Sequence, residues 1–290
     1  MLQTLNLLNW DEPVSQETQQ FALTALESGE VMYLPELSFR LFPQEKVFLS
    51  HHYASPKTKN VSFDWNHSML QGAVCTKTES IQLTQMLNRY ATYTKQLLTN
   101  LFPLYQDEVE QGRTSFRPVE IMGRVSPSYR KDDTRLHVDA FPSTPTQGKR
   151  ILRVFTNVNP AHPRVWRIGA PFNKVIEYFY PKLRAPVVGA ATMLNALKIT
   201  KQKRTPYDHY MLQLHNAMKA DMEYQEQVPQ TQQLFQPGSS WIVYTDQVSH
   251  AAMAGQFTFE QTFYVPPHAL DEIEKSPCKI LEKFLRKPLL

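Results

Sequence analysis

The sequence predicts a mainly β protein with flanking helices packed outside a β-sandwich or barrel. Three observations carry this. Aromatic residues are abundant, with 16 Phe, 13 Tyr and 4 Trp, and 21 Pro stand against 9 Gly. That balance favours pleated strands and rigid loops over a helical bundle. From Arg117 onward, runs of strand-forming residues follow one another with short polar breaks, the pattern of a sheet-built core. Helical periodicity is concentrated before residue 101 and in one later segment. Hydrophobic residues make up 42% of the 290 and charged residues 20%, enough apolar surface for a substantial core. No repeat, low-complexity tract or linker divides the chain. The expected organisation is a single domain over 1–290. Its helical part runs to about residue 116, its β core from about 117 to 267, and a tail from 268 to 290.

In chain order, Ser15 to Ser28 reads as a helix ended by Gly29, and Val31 to Leu34 as a short strand stopped by Pro35. A second helix is expected from Glu79 to Asn100, capped by Thr78, with Leu83, Met86, Leu87, Tyr90, Leu97 and Leu98 near the helical period. Strands are expected at Val119–Val125, Arg150–Val158 and Val165–Ile168. Thr205 and Pro206 then start a helix reaching about Glu226, because Pro is tolerated at the first helical position. Trp241–Thr245 and Phe257–Val265 are the last two strands, separated by a short segment that holds His250.

Composition narrows the function classes. Two cysteines, Cys75 and Cys278, are too few for a disulfide framework or a thiolate zinc site. No run approaches eighteen apolar residues, so no membrane-spanning helix is expected. The opening residues lack the basic start and apolar run of a signal peptide, so a cytoplasmic location is expected. The net charge of +4 favours anionic partners. Nucleic acid is not among those expected, since no binding motif or aromatic-basic repeat is present. A phosphate-binding glycine loop and an H-E-x-x-H zinc motif are both missing from the sequence.

One constellation carries chemistry. His137-Val138-Asp139 is an H-x-D pair, and in an extended segment positions i and i+2 share a face. An imidazole and a carboxylate on one face can bind one metal ion, but they leave it unsatisfied. His250, 113 residues downstream, follows the turn Pro237-Gly238 and the strand run Trp241 to Thr245, at a strand edge. Two imidazoles and one carboxylate form a facial triad with three open positions, the layout of non-haem Fe(II) oxygenases. Two of those positions suit a bidentate 2-oxo acid and one suits dioxygen. An H-x-D pair alone arises by chance about 0.3 times in a chain of this composition, so the weight rests on the two halves together. The alternative is a polar surface pair at His137 and Asp139. His51-His52 reads as a polar loop pair and His162 as a loop residue. His209 and His215 sit on a helix, six apart, and so are not aligned on one face.

A 2-oxo acid needs a cation for its far carboxylate, and the fork of Arg matches two oxygens. Many oxygenases place that cation about ten residues beyond the distal histidine. Here that region is Glu260-Gln261-Thr262. The cation is therefore expected from another strand. Arg153 is the first candidate, because a charge between Leu152 and Val154 is costly unless satisfied, and Arg124 is the second. An outward-facing, solvated guanidinium is the alternative for both.

These motifs bear a resemblance to a known family. Arg135 to Ser143, Arg150 to Asn159 followed by Pro163 to Gly169, and Trp241 to His250 resemble the Kdo hydroxylases, the 3-deoxy-D-manno-oct-2-ulosonic acid 3-hydroxylases of Gram-negative bacteria. The resemblance covers most of the chain from about Pro118 to Pro266. It implies a double-stranded β-helix (jelly-roll) core and an oxygenase dependent on Fe(II), 2-oxoglutarate and O2, helped by ascorbate. It implies iron held by His137, Asp139 and His250. The implied substrate is the Kdo sugar of a lipid A precursor, hydroxylated at C3 to give the sugar Ko. The family leaves open which Arg binds 2-oxoglutarate here.

Such a substrate is anionic and membrane-borne. Arg164 and Arg167 lie near the strand that carries Arg153 and are expected to meet its acidic groups. Lys198, Lys201, Lys203 and Arg204 form a further basic cluster, and Lys279 to Lys287 could form a basic amphipathic helix on the inner leaflet. The alternative for each is a solvated face or a tail packed on the core. Two other functions stay open at this point: an Fe(II)/2-oxoglutarate oxygenase acting on another sugar or lipid, and a jelly-roll binding protein without catalysis.

Overall fold

Ser15 accepts a hydrogen bond from the Thr18 N–H and starts helix α1 (Gln16–Glu27). Gly29 stops it with φ near 80°, a conformation that favours glycine. The computed structural model describes residues 2–58, 60–65 and 67–290. Its strands are β1 (Leu2–Thr4), β2 (Val31–Leu34), β3 (Val61–Asp64), β4 (Met69–Gln71), β5 (Glu110–Arg117), β6 (Arg150–Asn157), β7 (Arg164–Ile168), β8 (Thr231–Phe235), β9 (Ser240–Tyr244), β10 (His250–Ala254) and β11 (Thr258–Val265). The further helices are α2 (Lys77–Leu101), α3 (Phe172–Phe179), α4 (Ala190–Ala196), α5 (Pro206–Ala220), α6 (Met222–Gln227) and α7 (Pro277–Leu285).

The strands form two sheets. The larger has the order β1-β2-β9-β6-β11-β5-β3-β4, and the smaller β10-β7-β8. All named pairs are antiparallel except β1 with β2. The side-chain period of two sorts β6 cleanly. Leu152 and Val154 join the apolar layer beneath α1 and α2, together with Leu26, Leu87, Tyr90 and Phe259. Phe155, with Trp241 and Val243 of β9, faces the smaller sheet and packs on Trp166 and Phe235. A third apolar cluster covers the outside of the smaller sheet, where Val175, Tyr210, Leu214 and Leu281 surround Leu136, Val138 and Ala251. The result is the double-stranded β-helix, with helices on both outer faces.

Several expectations need correction. Residues 118–128 are irregular rather than a strand at Val119–Val125. Pro118 has no N–H to give a ladder, Gly123 turns at φ 78°, and Val125 is 91% exposed. The strand lies just before, at β5, whose polar sequence conceals it. Pairing with β11 and β3 buries Thr114, Ser115 and Phe116 there. The amino-terminal third thus supplies five strands of the larger sheet as well as α1 and α2.

Helix α2 is capped by Thr76, not Thr78. Thr76 and Glu79 hydrogen-bond each other's backbone N–H in a capping box. The helix expected to reach Glu226 is broken at Asp221, whose carboxylate accepts from the Tyr224 N–H and starts α6. The segment holding His250 is itself a strand, β10, paired with β7. Helix α7 buries Pro277, Cys278 and Leu281 against the α3–α5 layer, so the apolar face of the tail is turned inward. No helix among the described residues is long and apolar enough to cross a membrane.

Candidate metal centre

The segment Leu136–Asp139 belongs to no long strand, yet most of the backbone groups it carries are bonded. His137 exchanges both hydrogen bonds with His250: N–H to carbonyl at 3.0 Å one way and 2.9 Å the other. The Asp139 N–H donates to the Thr245 carbonyl at 2.7 Å. Gln225 of α6 acts as a surrogate strand. Its Oε1 accepts from the Leu136 N–H at 2.7 Å and its Nε2 donates to the Leu136 carbonyl at 2.9 Å. His215 of α5 closes the set, its Nδ1 lying 2.8 Å from the Val138 carbonyl. The break at Asp221 between α5 and α6 carries the chain from the His215 contact to the Gln225 contact. Where β7 passes, Gly169 leaves room for the Ser249 side chain; a Cβ there would lie 2.7 Å from Ser249 Oγ.

This scaffold brings His137, Asp139 and His250 together, all buried, with one ligand-capable atom of each within 4.8 Å of the others. His137 Nε2 lies 3.6 Å from Asp139 Oδ1. Three ligands on one face of an octahedral ion, with bonds of about 2.1 Å, sit roughly 3 Å apart, so a small contraction would close the set on an ion. The imidazoles are already oriented for it. His137 Nδ1 lies 2.7 Å from the Arg135 carbonyl and His250 Nδ1 2.8 Å from the Val248 carbonyl. A carbonyl only accepts, so each Nδ1 carries the proton and each Nε2 presents a lone pair. Trp166 stacks on the His250 ring at 4.9 Å, and His215 meets the His137 ring edge-on at 5.1 Å.

The electrostatics match a cation-binding role. Burial and the neighbouring His250 hold His137 well below its usual range, and burial likewise lowers His250, so both are neutral at pH 7. Burial alone would raise the Asp139 carboxyl. Arg153, His250 and His137 outweigh it and hold the group far below the ordinary carboxylate range. Asp139 Oδ2 is buried without a hydrogen bond: Arg153 Nη1 is 3.0 Å away but out of line. An unbonded buried carboxylate oxygen and two free imidazole lone pairs fit a divalent metal.

Arg153 points from β6 into the same space, between Asp139 and Glu260, whose Oε1 is 3.5 Å from its Nε. Glu260 is gripped from the other side by Arg117 of β5, Nε to Oε2 at 2.9 Å. The strand position where many oxygenases carry a cation therefore holds an acid here, flanked by arginines of both neighbouring strands. Arg124 sits apart in the irregular segment, paired with Asp133. Arg164 is buried, with Nη1 on the Gly255 carbonyl at 2.6 Å. Arg167 is half-buried, with Nη2 on the Thr134 carbonyl at 2.7 Å. His51, His52, His162 and His209 stay away from the centre.

Sequence reasoning missed His215, Gln225 and Arg117. Nothing in a helical pattern says which loop a helix faces. A cavity of about 1180 Å³ is lined by Phe172, Tyr178, Tyr224 and Gln230 and reaches Gln247, Val248 and Ser249 ahead of the distal histidine. It takes in none of the three ligand side chains.

A jelly roll that gathers two histidines and a carboxylate on one face, beside a buried arginine, defines the class of non-haem iron oxygenases that use a 2-oxo acid. The sequence model described as 3-deoxy-D-manno-oct-2-ulosonic acid (Kdo) hydroxylase matches residues 9–288. The chain belongs to that family. It is similar over its whole length to the crystal structure of the Kdo hydroxylase KdoO, a non-haem Fe(II) alphaketoglutarate-dependent dioxygenase, in complex with alphaketoglutarate and Fe(III). Identity is 46%, coverage is 100% of this chain and 97% of that one, and the TM-score is 0.96. The cobalt(II) complex of KdoO matches at 47% identity over 99% of this chain and 97% of that one, with TM-score 0.96. The complex with succinate and Fe(III) has the same identity and coverages, with TM-score 0.95. Among curated protein sequences, none matches the chain.

Proposed function

We propose that the protein is an Fe(II)/2-oxoglutarate-dependent dioxygenase that hydroxylates C3 of the Kdo sugar in a Kdo-containing lipid A precursor, giving Ko, with ascorbate as activator. The observation that carries this reading is the preset donor set: two Nε2 lone pairs and one buried carboxylate converge on one place. In this reading His137, Asp139 and His250 hold iron. The bound metal, with 2-oxoglutarate and O2, supplies the oxidising power that replaces C–H by C–OH and yields succinate and carbon dioxide.

The chain's own residues bind and orient. Arg153 receives the far carboxylate of 2-oxoglutarate, and Glu260 and Asp139 keep its guanidinium charged and aimed. Arg124, tied to Asp133 in a loop, is the second candidate. Of Arg164 and Arg167, the half-exposed Arg167 is the better placed to meet a sugar carboxylate, since Arg164 is buried with its Nη1 on the Gly255 carbonyl. The buried walls around the triad keep bulk water from the reacting carbon. A lipid-borne substrate puts the enzyme in the cytoplasm, at the inner face of the inner membrane.

Mass spectrometry of Kdo-containing lipid A incubated with protein, Fe(II) and 2-oxoglutarate tests the reading. One added oxygen atom on the Kdo unit is expected. Succinate formed at the same rate with and without that lipid, and no added oxygen, would overturn the substrate assignment.

A further inference from the structure

Residues 182–204 form a surface lobe unlike the rest of the molecule. The segment holds six cations, Lys182, Arg184, Lys198, Lys201, Lys203 and Arg204, and no acid. Its helix α4 buries none of its residues. Val187, Met193, Leu197 and Ile199 are exposed within it, and Val188 is exposed completely. Large apolar side chains gathered in this way are uncommon on a monomer surface and mark a docking face. Lys198, Lys201 and Lys203 are exposed and make no ion pair among the described residues, so their charge is available to a partner.

We infer that this lobe docks the protein on an anionic lipid surface, with Val187, Val188, Leu197 and Ile199 entering the headgroup boundary and Lys198, Lys201 and Lys203 meeting lipid phosphates. Exposed apolar side chains interspersed with exposed lysines match that surface in both polarity and charge, because lysine stems can lie in the interface while their ammonium groups stay at the phosphates. The tail helix does not share this design, since its apolar face is packed inward. The lobe is also coupled to the metal centre. The Lys201 N–H donates to the Ser143 carbonyl at 2.9 Å and Arg204 binds the Pro142 carbonyl, four and three residues beyond Asp139 respectively. A bilayer under the lobe would therefore lie beside the segment that carries two of the three ligands. Lipid docking itself stands independently; only its use in delivering substrate rests on the hydroxylase reading.

Flotation with vesicles free of Kdo separates the two. Wild-type protein is expected to float with phosphatidylcholine vesicles containing phosphatidylglycerol, and not with pure phosphatidylcholine. Each lysine is expected to contribute about fivefold in partitioning. The triple variant Lys198→Gln, Lys201→Gln, Lys203→Gln should thus bind on the order of a hundredfold more weakly. Val188→Asp with Leu197→Asp, both at exposed positions that the fold does not use, should abolish flotation while leaving the melting temperature unchanged. Lys279→Gln with Lys283→Gln should float like wild type. Wild type that stays in solution with anionic vesicles would overturn the inference. So would self-association that the Val188→Asp, Leu197→Asp variant abolishes, which would assign the face to a second copy of the chain.

Discussion

His137 and His250 are partners through their backbones as well as their side chains. Each donates its N–H to the other's carbonyl, and their ring centroids lie 4.7 Å apart. A single antiparallel bridge thus fixes the spacing of two imidazoles separated by more than a hundred residues. The metal centre inherits its geometry from β10, a strand braced by β7 along its length.

Arg153 should control affinity for the 2-oxo acid. Arg153→Leu removes the arginine that the structure places against Asp139, and the KM for 2-oxoglutarate is expected to rise at least tenfold with a smaller change in kcat. Arg153→Lys should recover part of this, since the point charge stays but the fork is lost. Glu260→Gln should raise the same KM more modestly by freeing the guanidinium. An unchanged KM in Arg153→Leu would move the anchor to Arg124 or Arg117.

Gln225 and His215 should act through the ligand segment. Gln225→Leu leaves the Leu136 N–H and carbonyl buried without partners, which costs about 1–3 kcal/mol. The expected result is weaker iron binding, by about tenfold to a hundredfold as for other residues that orient ligands, with KM for 2-oxoglutarate little changed. Gln225→Glu, which still accepts from the Leu136 N–H, should lose less. Calorimetric metal affinities measured on folded variants decide this.

The pair Arg150–Asp246 should dominate local stability. Both side chains are almost fully buried, with Nε and Oδ2 2.7 Å apart, and Arg150 also lies over the Tyr244 ring at 3.9 Å. Asp246→Ala would strand a buried guanidinium, and a loss of about 3–5 kcal/mol in a denaturant titration is expected. A loss under about 1 kcal/mol would show that the pair behaves as a surface bridge.

The metal-free protein should weaken on acidification in a defined window. Burial lowers His137, His215 and His250 below the ordinary 6.5. The folded chain therefore keeps them neutral while the unfolded chain takes up protons below about 6.5. Unfolded protein then binds more protons than native, so stability rises with pH up to that value and falls below it, by up to about 1.4 kcal/mol per histidine per pH unit. Asp139 adds a loss of the same sign further down, as pH falls through the ordinary carboxylate range. Urea midpoints should be level from pH 8 to 7 and decline steadily from 6.5 to 5. A midpoint that rises over the acid range would contradict the buried, neutral state of these rings.

The sequence was most readable where a local rule was enough. The H-x-D pair sits on one face because extended chain has a period of two, and His250 follows a strand whose apolar run is unmistakable. Reading failed where tertiary pairing overrides local preference. Glu110–Arg117 looks polar because its buried residues, Thr114 and Ser115, satisfy their hydroxyls in pairing, Thr114 on Gln261 and Ser115 facing Ser62. Val119–Val125 looks like a strand, but Pro118 and Gly123 take the chain out of the sheet. His215 and Gln225 carry no local mark at all. Their importance comes from the break at Asp221, which folds two helices over the backbone of Leu136 and Val138.

Iron titration of the purified, metal-free chain tests the central claim most directly. One Fe(II) should bind per chain, and His137→Ala, Asp139→Ala and His250→Ala should each lose that binding together with succinate formation, while remaining folded by circular dichroism. Wild-type stoichiometry and affinity in any one of the three folded variants would remove that residue from the centre and contradict the account.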